Sequence, residues 1–467
     1  MGLAYVAIAI AAAAFAGRAI ARPFTDGDLF WQKHLGAYVI AQGSLPNALG
    51  PEAFAATGAP WTPQEWLTGC FAALIVPDRL WIGAIVAASC VAIAMTITAL
   101  RARDAGATPF AIAFCSGLLA FDCEGSFGIR AQVFAWPLFA LVLYLLDRRG
   151  RAVFWVFPVV ALWANLHASV MLAVPIVWLD AAFTRTRERI WLAILVPFAT
   201  LATPLGVRLP LYALMLVRSP IRHFIDEWQR VNFHHDFFWF GAVPMLALAL
   251  AYLRTLVRER PRDVALLALL AAMTGFAVRN AALLGFVLMP LGARAFELVV
   301  QRFAWWPRDP LRSFGPRLLA FAGGVLTAVL VFLVSLRPAP ANGFVPPIAT
   351  FARIAALPGE HRVYCYDFAI CSIALDYPNL RVLMDGRADP YPVKIWYDWD
   401  AIRKTLPGWR GLVQGYGIDV VIAHRNGALD KALRRQRAWR PFPTPDRCCA
   451  VYVRARSPSD RRPDLTQ

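Results

Sequence analysis

The sequence predicts an all-α polytopic membrane domain of about eleven transmembrane helices, followed by a small extracytoplasmic α/β domain. The 467 residues are 59% hydrophobic and only 16% charged, a composition typical of polytopic membrane proteins. Apolar runs recur from the first residue to about residue 336 and then stop. The net charge of +17 is distributed among the loops between these runs and does not form one basic face, which argues against a nucleic-acid partner.

Eleven apolar segments are candidate spans, and several are shorter than the roughly 20 residues that cross a bilayer perpendicularly. They cover residues 3–20, 80–100, 108–122, 131–147, 152–166, 168–183, 190–206, 237–253, 264–278, 280–297 and 318–336. The first segment is expected to be a retained span, because it lacks the basic n-region of a signal peptide. The stretch from Trp66 to Pro77 is a candidate half-span or re-entrant piece.

Arginines gather in every second loop, and this asymmetry predicts the topology. The arginine-rich loops hold Arg101 and Arg103; Arg148, Arg149 and Arg151; Arg185, Arg187 and Arg189; Arg254, Arg258, Arg260 and Arg262; and Arg302, Arg308, Arg312 and Arg317. Under the positive-inside rule these five loops are cytoplasmic. The N-terminus is then inside, and loops 21–79, 123–130 and 207–236 lie outside with everything after residue 337.

The region after the spans has the pattern of a separate soluble domain. Residues 1–337 form the predicted membrane domain, residues 341–455 a compact α/β domain, and residues 456–467 a disordered tail. The strand candidates are residues 362–366, 381–384, 419–423 and 450–454, and the helix candidates lie near residues 393–405, 408–416 and 427–437. This alternation of strands and helices predicts an α/β fold.

Four cysteines, Cys365, Cys371, Cys448 and Cys449, belong to this outer domain. An oxidising compartment permits disulfides there. A bridge between the Cys365/Cys371 segment and the Cys448/Cys449 strand is one expectation, although sequence alone does not determine the pairing.

Two aspartates one residue apart, Asp26 and Asp28, follow the first span. Such a pair is suited to a site in which one acid acts as a base while the other orients it or holds a divalent cation. The alternative is that Asp26 only caps the helix that begins near Asp28. Glu65, at the mouth of the next apolar segment, is a candidate third acid or a surface residue at a helix start, because a buried carboxylate is costly unless paired.

Two arginines at outer ends of spans, Arg130 and Arg279, are candidate phosphate ligands, since a guanidinium binds phosphate through paired hydrogen bonds. Arg279 is followed by Asn280, which we assign to the same candidate substrate site. For Arg130 the alternative is an internal ion pair with Asp122 or Glu124.

Further candidate substrate contacts are Asn165 and His167, two residues apart in an outer turn, and Asp226 and Glu227 in the third outer loop. A lone histidine in such a turn is more often structural. The third loop has the composition of an interfacial segment, suited either to a lipid head group or to a membrane-surface helix with snorkelling arginines. In the outer domain, Asp385-Gly386-Arg387 predicts a ligand-binding loop or a turn held by an internal ion pair.

Six short motifs together resemble a group of bacterial membrane proteins related to GT-C glycosyltransferases: Asp26-Gly27-Asp28, Pro63-Gln64-Glu65-Trp66-Leu67, Arg130-Ala131-Gln132, Asn165-Leu166-His167, Ile225-Asp226-Glu227-Trp228 and Met384-Asp385-Gly386-Arg387. The resemblance covers almost the whole chain. It implies a transferase of the bacterial inner membrane, with a polyprenyl-phosphate sugar donor, a catalytic acid in the first outer loop and an outer C-terminal domain. The Trp396-Tyr397-Asp398-Trp399-Asp400 run is only a superficial echo of the oligosaccharyltransferase aspartate motif, since it falls in a predicted helix.

The leading functional hypothesis is inverting glycosyl transfer at the outer membrane face. Asp26 or Asp28 is the expected base, and Arg130 and Arg279 stabilise the leaving phosphate, where negative charge develops. Two other classes stay open: a carrier or flippase for a lipid-linked or anionic substrate, and a non-catalytic assembly protein. The sequence contains no glycine-rich phosphate loop, nucleophile elbow or helical zinc motif, and it does not identify the acceptor.

Overall fold

The structure is a computed structural model that describes residues 2–21, 27–75, 79–231, 240–303, 346–446 and 448–455. The chain divides into two compact units. The helical unit comprises Met1–Pro23 with Gln64–Gly343, and the mixed unit comprises Phe24–Pro63 with Phe344–Gln467. Residues 27–63 of the first long loop therefore belong to the same unit as the C-terminal region.

Helices dominate the chain up to residue 303. In chain order they are α1 Gly2–Ala21, α2 Asp28–Gln42, α3 Trp66–Ile75, α4 Leu80–Asp104, α5 Pro109–Glu124, α6 Ala131–Leu146, α7 Val156–Leu166, α8 Ala173–Thr184, α9 Arg187–Ala199, α10 Arg208–Arg218, α11 Ala242–Ala251, α12 Leu253–Glu259, α13 Pro261–Phe276 and α14 Ala281–Phe303. Short 3₁₀ turns lie at Gly150–Trp155, Ala168–Leu172, Pro220–Phe224, Asp226–Trp228 and Val278–Asn280. All of these belong to the helical unit except α2.

Most predicted spans coincide with helices of this unit. By length and composition, two helical stretches in the described part of the chain are long and apolar enough to cross a membrane, Leu80–Asp104 and Val278–Arg302. Six shorter apolar helical stretches accompany them. The predicted span 318–336 lies outside the described residues, as does the start of span 237–253. The count of eleven therefore stays a prediction.

Small side chains allow the first helices to pack closely. One face of α1 presents Ala4, Ile8, Ala11, Phe15 and Ala19, all at most 4% exposed. These residues recur every three or four positions, which places them on one helical face. The facing helix α4 buries alanines in the same way, and small residues let two backbones approach each other.

Several of the arginines on which the topology prediction rests also form buried ion pairs. Arg101 lies 2.8 Å from Asp147 and 3.3 Å from Asp263. Arg262 lies 2.8 Å from Asp180 and 2.9 Å from Asp263. A buried charge is tolerated only with such partners, so these arginines tie together the ends of α4, α6, α8 and α13.

The mixed unit is built around a five-stranded sheet in the order β2-β1-β3-β5-β4. The strands are β1 His361–Cys365, β2 Leu380–Val382, β3 Val420–His424, β4 Trp439–Phe442 and β5 Cys449–Arg454. The helices of this segment are α15 Ile348–Ala355, α16 Phe368–Cys371, α17 Val393–Lys404, α18 Trp409–Gly415 and α19 Ala428–Arg434, with a 3₁₀ turn at Ser372–Asp376. β1 pairs in parallel with β2 and β3, whereas β5 is antiparallel to β3 and β4.

The α/β pattern expected for this region is confirmed. The four predicted strands and three predicted helices are present with ends shifted by at most three residues. β4 was not predicted. Trp396 and Trp399 lie on α17, as expected, and both are buried. The predicted tail lies outside the described residues.

The expected disulfide between the two cysteine segments is wrong. Cys365 is bonded to Cys371, with a Cα–Cα distance of 5.8 Å, while Cys448 and Cys449 are free thiols. Cys365 ends β1 and Cys449 begins β5, with β3 between them. Strands two apart in a sheet are separated by about 9.5 Å, which exceeds the reach of a disulfide.

Candidate active site

Five of the predicted site residues meet in the helical unit, and we call them the polar cluster: Glu65, Arg130, His167, Glu227 and Arg279. Each lies where a helix begins or ends. Glu65 directly precedes α3, Arg130 precedes α6, and His167 lies between α7 and the Ala168–Leu172 turn, while Glu227 and Arg279 sit in the 3₁₀ turns at residues 226–228 and 278–280. The backbone N–H and C=O groups at a helix end have no partner within the helix, so they and nearby side chains are available for other contacts.

The two arginines converge on one carboxylate. Nη2 of Arg130 donates to Oε1 and Oε2 of Glu227 at 3.2 and 3.0 Å. Nη1 of Arg279 lies 3.5 Å from Oε1 of the same residue, and its guanidinium lies 5.6 Å from the ring centre of Trp228. Burial raises the pKa of Glu227, but the charges of Arg130 and Arg279 outweigh it and lower the pKa to about 2. Glu227 is therefore a carboxylate at neutral pH.

His167 lies at the buried end of the cluster and is uncharged. Burial, followed by the charges of Arg279 and Arg130, lowers its pKa well below 6.5. Nδ1 accepts the Ser169 amide hydrogen at 3.1 Å, so the neutral ring carries its proton on Nε2. That nitrogen lies 3.5 Å from Oε1 of Glu65 and 3.4 Å from Nη2 of Arg279. With its proton on Nε2, His167 faces the Glu65 carboxylate as a donor, and its approach to Arg279 is not a hydrogen bond because both groups are donors.

Neighbouring polar side chains hold this geometry. Gln64 donates to Oε1 of Glu65 at 2.9 Å and accepts from the Ala168 amide at 2.8 Å. Asn165 accepts from the Trp66 indole at 3.2 Å and donates to two backbone carbonyls. These contacts fasten the start of α3 to the end of α7.

Three predicted substrate residues are engaged elsewhere or face solvent. Both donors and the acceptor of the Asn165 amide are used within the fold. Asn280 donates to the Met273 and Ala277 carbonyls at the end of α13, which indicates a capping role. Asp226 is exposed and accepts from Gln229 at 3.4 Å.

Gln132 was overlooked as a functional candidate, although it lies in the Arg130-Ala131-Gln132 motif. Its Nε2 donates to the Arg279 carbonyl at 2.9 Å, joining the two arginine-bearing segments. Its Oε1 is buried and has no hydrogen-bond partner among the described residues. A polar amide at the same helix start as a candidate arginine is a signal that is visible in the sequence.

The acids of the first loop belong to the mixed unit. Asp28 begins α2 and accepts from the Trp31 indole at 3.0 Å. Gly27 occupies the N-cap position, so capping by a side chain at that position does not occur. Asp26 lies outside the described residues.

In the described part of the chain, no group of three or more His, Cys, Asp or Glu side chains is placed to hold a metal ion. The expectation of a divalent cation at Asp26 and Asp28 stays a prediction, because half of that pair is not described.

The polar cluster has an open end and a closed end, which determines what it can do. The Glu227 side chain retains 32% of its surface exposed and Arg279 retains 21%, whereas Glu65 and His167 retain 10% and 7%. A ligand from solvent can therefore reach Glu227 and Arg279 first, with Arg130, 13% exposed, behind them. Planar guanidinium groups favour phosphate and carboxylate ligands, so the open end is suited to an anionic group.

The fold is similar to that of a solved oligosaccharyltransferase. The crystal structure of the Archaeoglobus fulgidus oligosaccharyltransferase in the apo form superposes with a TM-score of 0.57 at 11% identity, covering 90% of this chain and 69% of that one. The same oligosaccharyltransferase, tethered by a disulfide to an acceptor peptide containing the NVT sequon, superposes with a TM-score of 0.56 at 11% identity, covering 96% and 74%.

No protein-family model and no curated protein sequence matches the chain. At 11% identity the structural likeness is evidence about the fold alone. It agrees with the GT-C-like architecture expected from the sequence.

Proposed function

We propose that this chain is a membrane glycosyltransferase that moves a sugar from a polyprenyl-phosphate donor to an acceptor at the outer face of the bacterial inner membrane. The fold likeness to an oligosaccharyltransferase supports the reaction class. The arginine asymmetry of the loops supports the outer location of the first long loop and of the C-terminal domain.

The observation that carries the proposal is the convergence of Arg130 and Arg279 on Glu227. The two guanidinium groups come from distant parts of the chain and share one carboxylate at an open end of the cluster. Interactions of this kind with a phosphate strengthen as the glycosidic bond breaks, because negative charge grows on the leaving oxygen. Donor binding requires the arginines to exchange part of their interaction with Glu227 for the phosphate.

The chemistry needs a base more than an acid. A lipid phosphate is already a good leaving group, so protonation of the leaving oxygen is not essential. The acceptor needs a group that removes or orients its proton, and the candidates are Asp26 or Asp28, with Glu65 as a further acid. Neutral His167 orients Glu65 and adds no positive charge of its own.

The choice of acceptors for the test follows from the fold. The solved enzyme of similar fold carries an acceptor peptide with the NVT sequon, and this motivates a peptide arm. Sugar and lipid acceptors form the other arms.

The test is incubation of the purified protein in lipid nanodiscs with a panel of polyprenyl-phosphate sugars and these acceptors, followed by mass spectrometry of released lipid phosphate and glycosylated product. We expect product from at least one donor, and its loss in an Arg130→Ala/Arg279→Ala double variant. The control Arg218→Ala, an exposed arginine outside the cluster, should retain turnover. Transbilayer movement of an intact donor without turnover would favour the carrier alternative instead.

A further inference from the structure

The helix that carries Asp28 is built into the core of the mixed unit. Phe30 belongs to the same hydrophobic cluster as Phe351, Val363 and Ile422. Nζ of Lys33 lies 2.9 Å from both carboxylate oxygens of Asp376. The start of α2 is therefore held by the C-terminal domain on an apolar and a charged side.

The segment after α2 is fastened to the same sheet. The Val382 amide donates to the Glu52 carbonyl at 2.7 Å, and Ala53 forms a parallel bridge with Val382. Nη1 of Arg387 donates to Oε1 of Glu52 at 2.9 Å. The loop that follows α2 thus extends the edge of the sheet beside β2.

The loop after β2, Asp385-Gly386-Arg387, is buried and held by many hydrogen bonds. Arg387 donates to both carboxylate oxygens of Asp385, and the Tyr391 hydroxyl donates to Oδ2 of Asp385 at 2.8 Å. The internal ion pair expected from the sequence is confirmed. Ala388 has a φ of +57°, a conformation that persists in a non-glycine residue only when the surroundings enforce it.

Gly386 approaches the Trp31 ring so closely that an added Cβ would force the ring or the Ser372 side chain to shift. A Cβ at this position would lie 2.8 Å from Cδ1 of Trp31 and 2.8 Å from Oγ of Ser372. Its φ is not positive, so lack of space is the reason for glycine here. The Gly386 amide also donates to Oγ of Ser372 at 2.9 Å, which fixes its position.

The same Trp31 indole donates its hydrogen to Oδ1 of Asp28 at 3.0 Å. Trp31 is buried, and Trp61 packs edge-on against it with the ring centres 6.3 Å apart. The Arg387 guanidinium lies 5.1 Å from the centre of the Trp61 ring. Gly386 thus packs against one side of the Trp31 indole, and the indole nitrogen donates a hydrogen bond to the Asp28 carboxylate.

We propose that Gly386 and Trp31 are positioning residues for catalysis: the loop after β2 seats the Trp31 ring, and the ring fixes the Asp28 carboxylate. This inference rests on the proposed function, in which Asp28 is a candidate base. It assigns the C-terminal domain the task of orienting an acid that lies more than 350 residues earlier in the chain.

The first test is Gly386→Ala, with Gly411→Ala as the matched control. Gly411 is exposed on α18, its φ is not positive, and an added Cβ would have no atom within 4 Å. We expect Gly386→Ala to lower kcat by about tenfold or more with the donor KM unchanged, since misplacement of a reacting group by about 1 Å costs on the order of a hundredfold. The control should match the wild type, and both should keep the wild-type melting temperature within a few degrees. Wild-type kcat in Gly386→Ala would overturn the proposal.

The second test is Trp31→Phe, which keeps an aromatic ring and removes the hydrogen-bond donor. A carboxylate that loses a donated hydrogen bond binds a proton more readily, so the acid limb of the kcat profile should move to higher pH. A purely structural role predicts a lower rate with an unchanged profile, and that result would overturn the assignment of Trp31.

A double-mutant cycle separates this proposal from the proposed function. Because Gly386→Ala and Trp31→Phe act on the same ring, their effects on kcat should be non-additive. Additive effects would contradict the proposal that Gly386 acts on Asp28 through Trp31. If Asp28→Asn abolishes turnover while Gly386→Ala does not change it, only the positioning proposal fails. If Asp28→Asn is fully active, Asp28 is not the base, and the positioning of its carboxylate by Trp31 and Gly386 does not contribute to catalysis.

Discussion

Arg130 donates to both carboxylate oxygens of Glu227, at 3.2 and 3.0 Å, across 97 residues of sequence. The ion pair joins the start of α6 to the short turn that follows α10. Arg279 approaches the same carboxylate from a third segment. Three separate segments of the helical unit therefore meet at the partly exposed carboxylate of Glu227. Arg130 and Arg279 hold these segments together, and they are also a candidate site for an anionic ligand.

The arginine pair should bind the donor phosphate through guanidinium geometry and not through charge alone. Arg130→Lys and Arg279→Lys keep the charge but lose the planar fork of donors. We expect each to raise the donor KM by about tenfold, the effect of losing roughly 1.4 kcal/mol, in an initial-rate assay with varied donor. Arg218→Lys serves as the exposed control. Unchanged donor dependence in both cluster variants would mean that these arginines only hold Glu227.

Glu227 should make stability depend on pH in a defined window. Its folded pKa of about 2 lies below the ordinary value of 4.5. A group with a depressed folded pKa stabilises the protein above its unfolded pKa and loses this contribution as the pH falls through the folded pKa. The stabilisation should thus be complete above about pH 4.5 and fade towards pH 2.

Glu227→Gln tests this window by thermal unfolding between about pH 7 and about pH 3. At neutral pH we expect the variant to melt roughly 1 °C or more below the wild type, as for about 1 kcal/mol in a protein of this size. The difference should shrink towards the acid end of this range. Asp226→Asn, a change of the exposed neighbour, should melt close to the wild type throughout. A pH-independent gap for Glu227→Gln would show that packing, and not its charge, stabilises the fold.

Most helices and strands were predictable because they depend on local patterns. Apolar runs predicted the helices that coincide with the candidate spans, and short β-rich runs predicted four strands, whereas α10, α12, α15 and α16 were not predicted. β4 was missed because Trp439-Arg440-Pro441-Phe442 contains an arginine and a proline. Proline is accepted here because β4 lies at the edge of the sheet, where an amide hydrogen is not required.

The residues of the site were easier to predict than their partners. Arg130 and Arg279 were candidates because an unpaired charge at the end of a span is costly, whereas His167 was a candidate from an outer turn and Glu227 from the third outer loop. For Arg130 the alternative to a phosphate ligand is an ion pair with its sequence neighbour Asp122 or Glu124. Instead Asp122 accepts from the Ala242 amide at 2.8 Å, and Glu124 pairs with Arg18. Helix packing decides these long-range pairs, and one sequence does not contain that information.

Membership of the two units was also beyond local patterns. The first long loop was expected as a loop of the membrane domain, but residues 27–63 fold with the C-terminal region. The contacts responsible, such as Lys33 with Asp376, join residues more than 340 positions apart. Their charges alone do not distinguish them from other acids and bases of the chain.

Topology is tested by cysteine labelling in intact cells. In a variant without accessible native thiols, cysteines replace Ser44, Ala438 and Thr186, all of which are exposed. The positive-inside rule places the first two outside and Thr186 in a cytoplasmic loop. A membrane-impermeant maleimide should therefore modify positions 44 and 438 in intact cells, and position 186 only after the membrane is opened. Labelling of position 186 in intact cells would reverse the orientation and remove the acids from the outer face.

The sharpest prediction concerns the acids of the first loop. Asp28→Asn preserves size and hydrogen-bonding capacity, so the protein should stay folded and bind donor lipid. Turnover should fall by about a hundredfold or more if Asp28 is the base, the lower range for loss of acid–base help. Asp26→Asn is the paired variant, and it should be nearly silent if Asp26 takes no part in the chemistry, since asparagine has almost the size and shape of aspartate. The measurement is single-turnover product formation with saturating donor, accompanied by a donor-binding assay. Full activity in both Asn variants would remove the acidic motif from the mechanism and shift the catalytic role to Glu65 in the polar cluster.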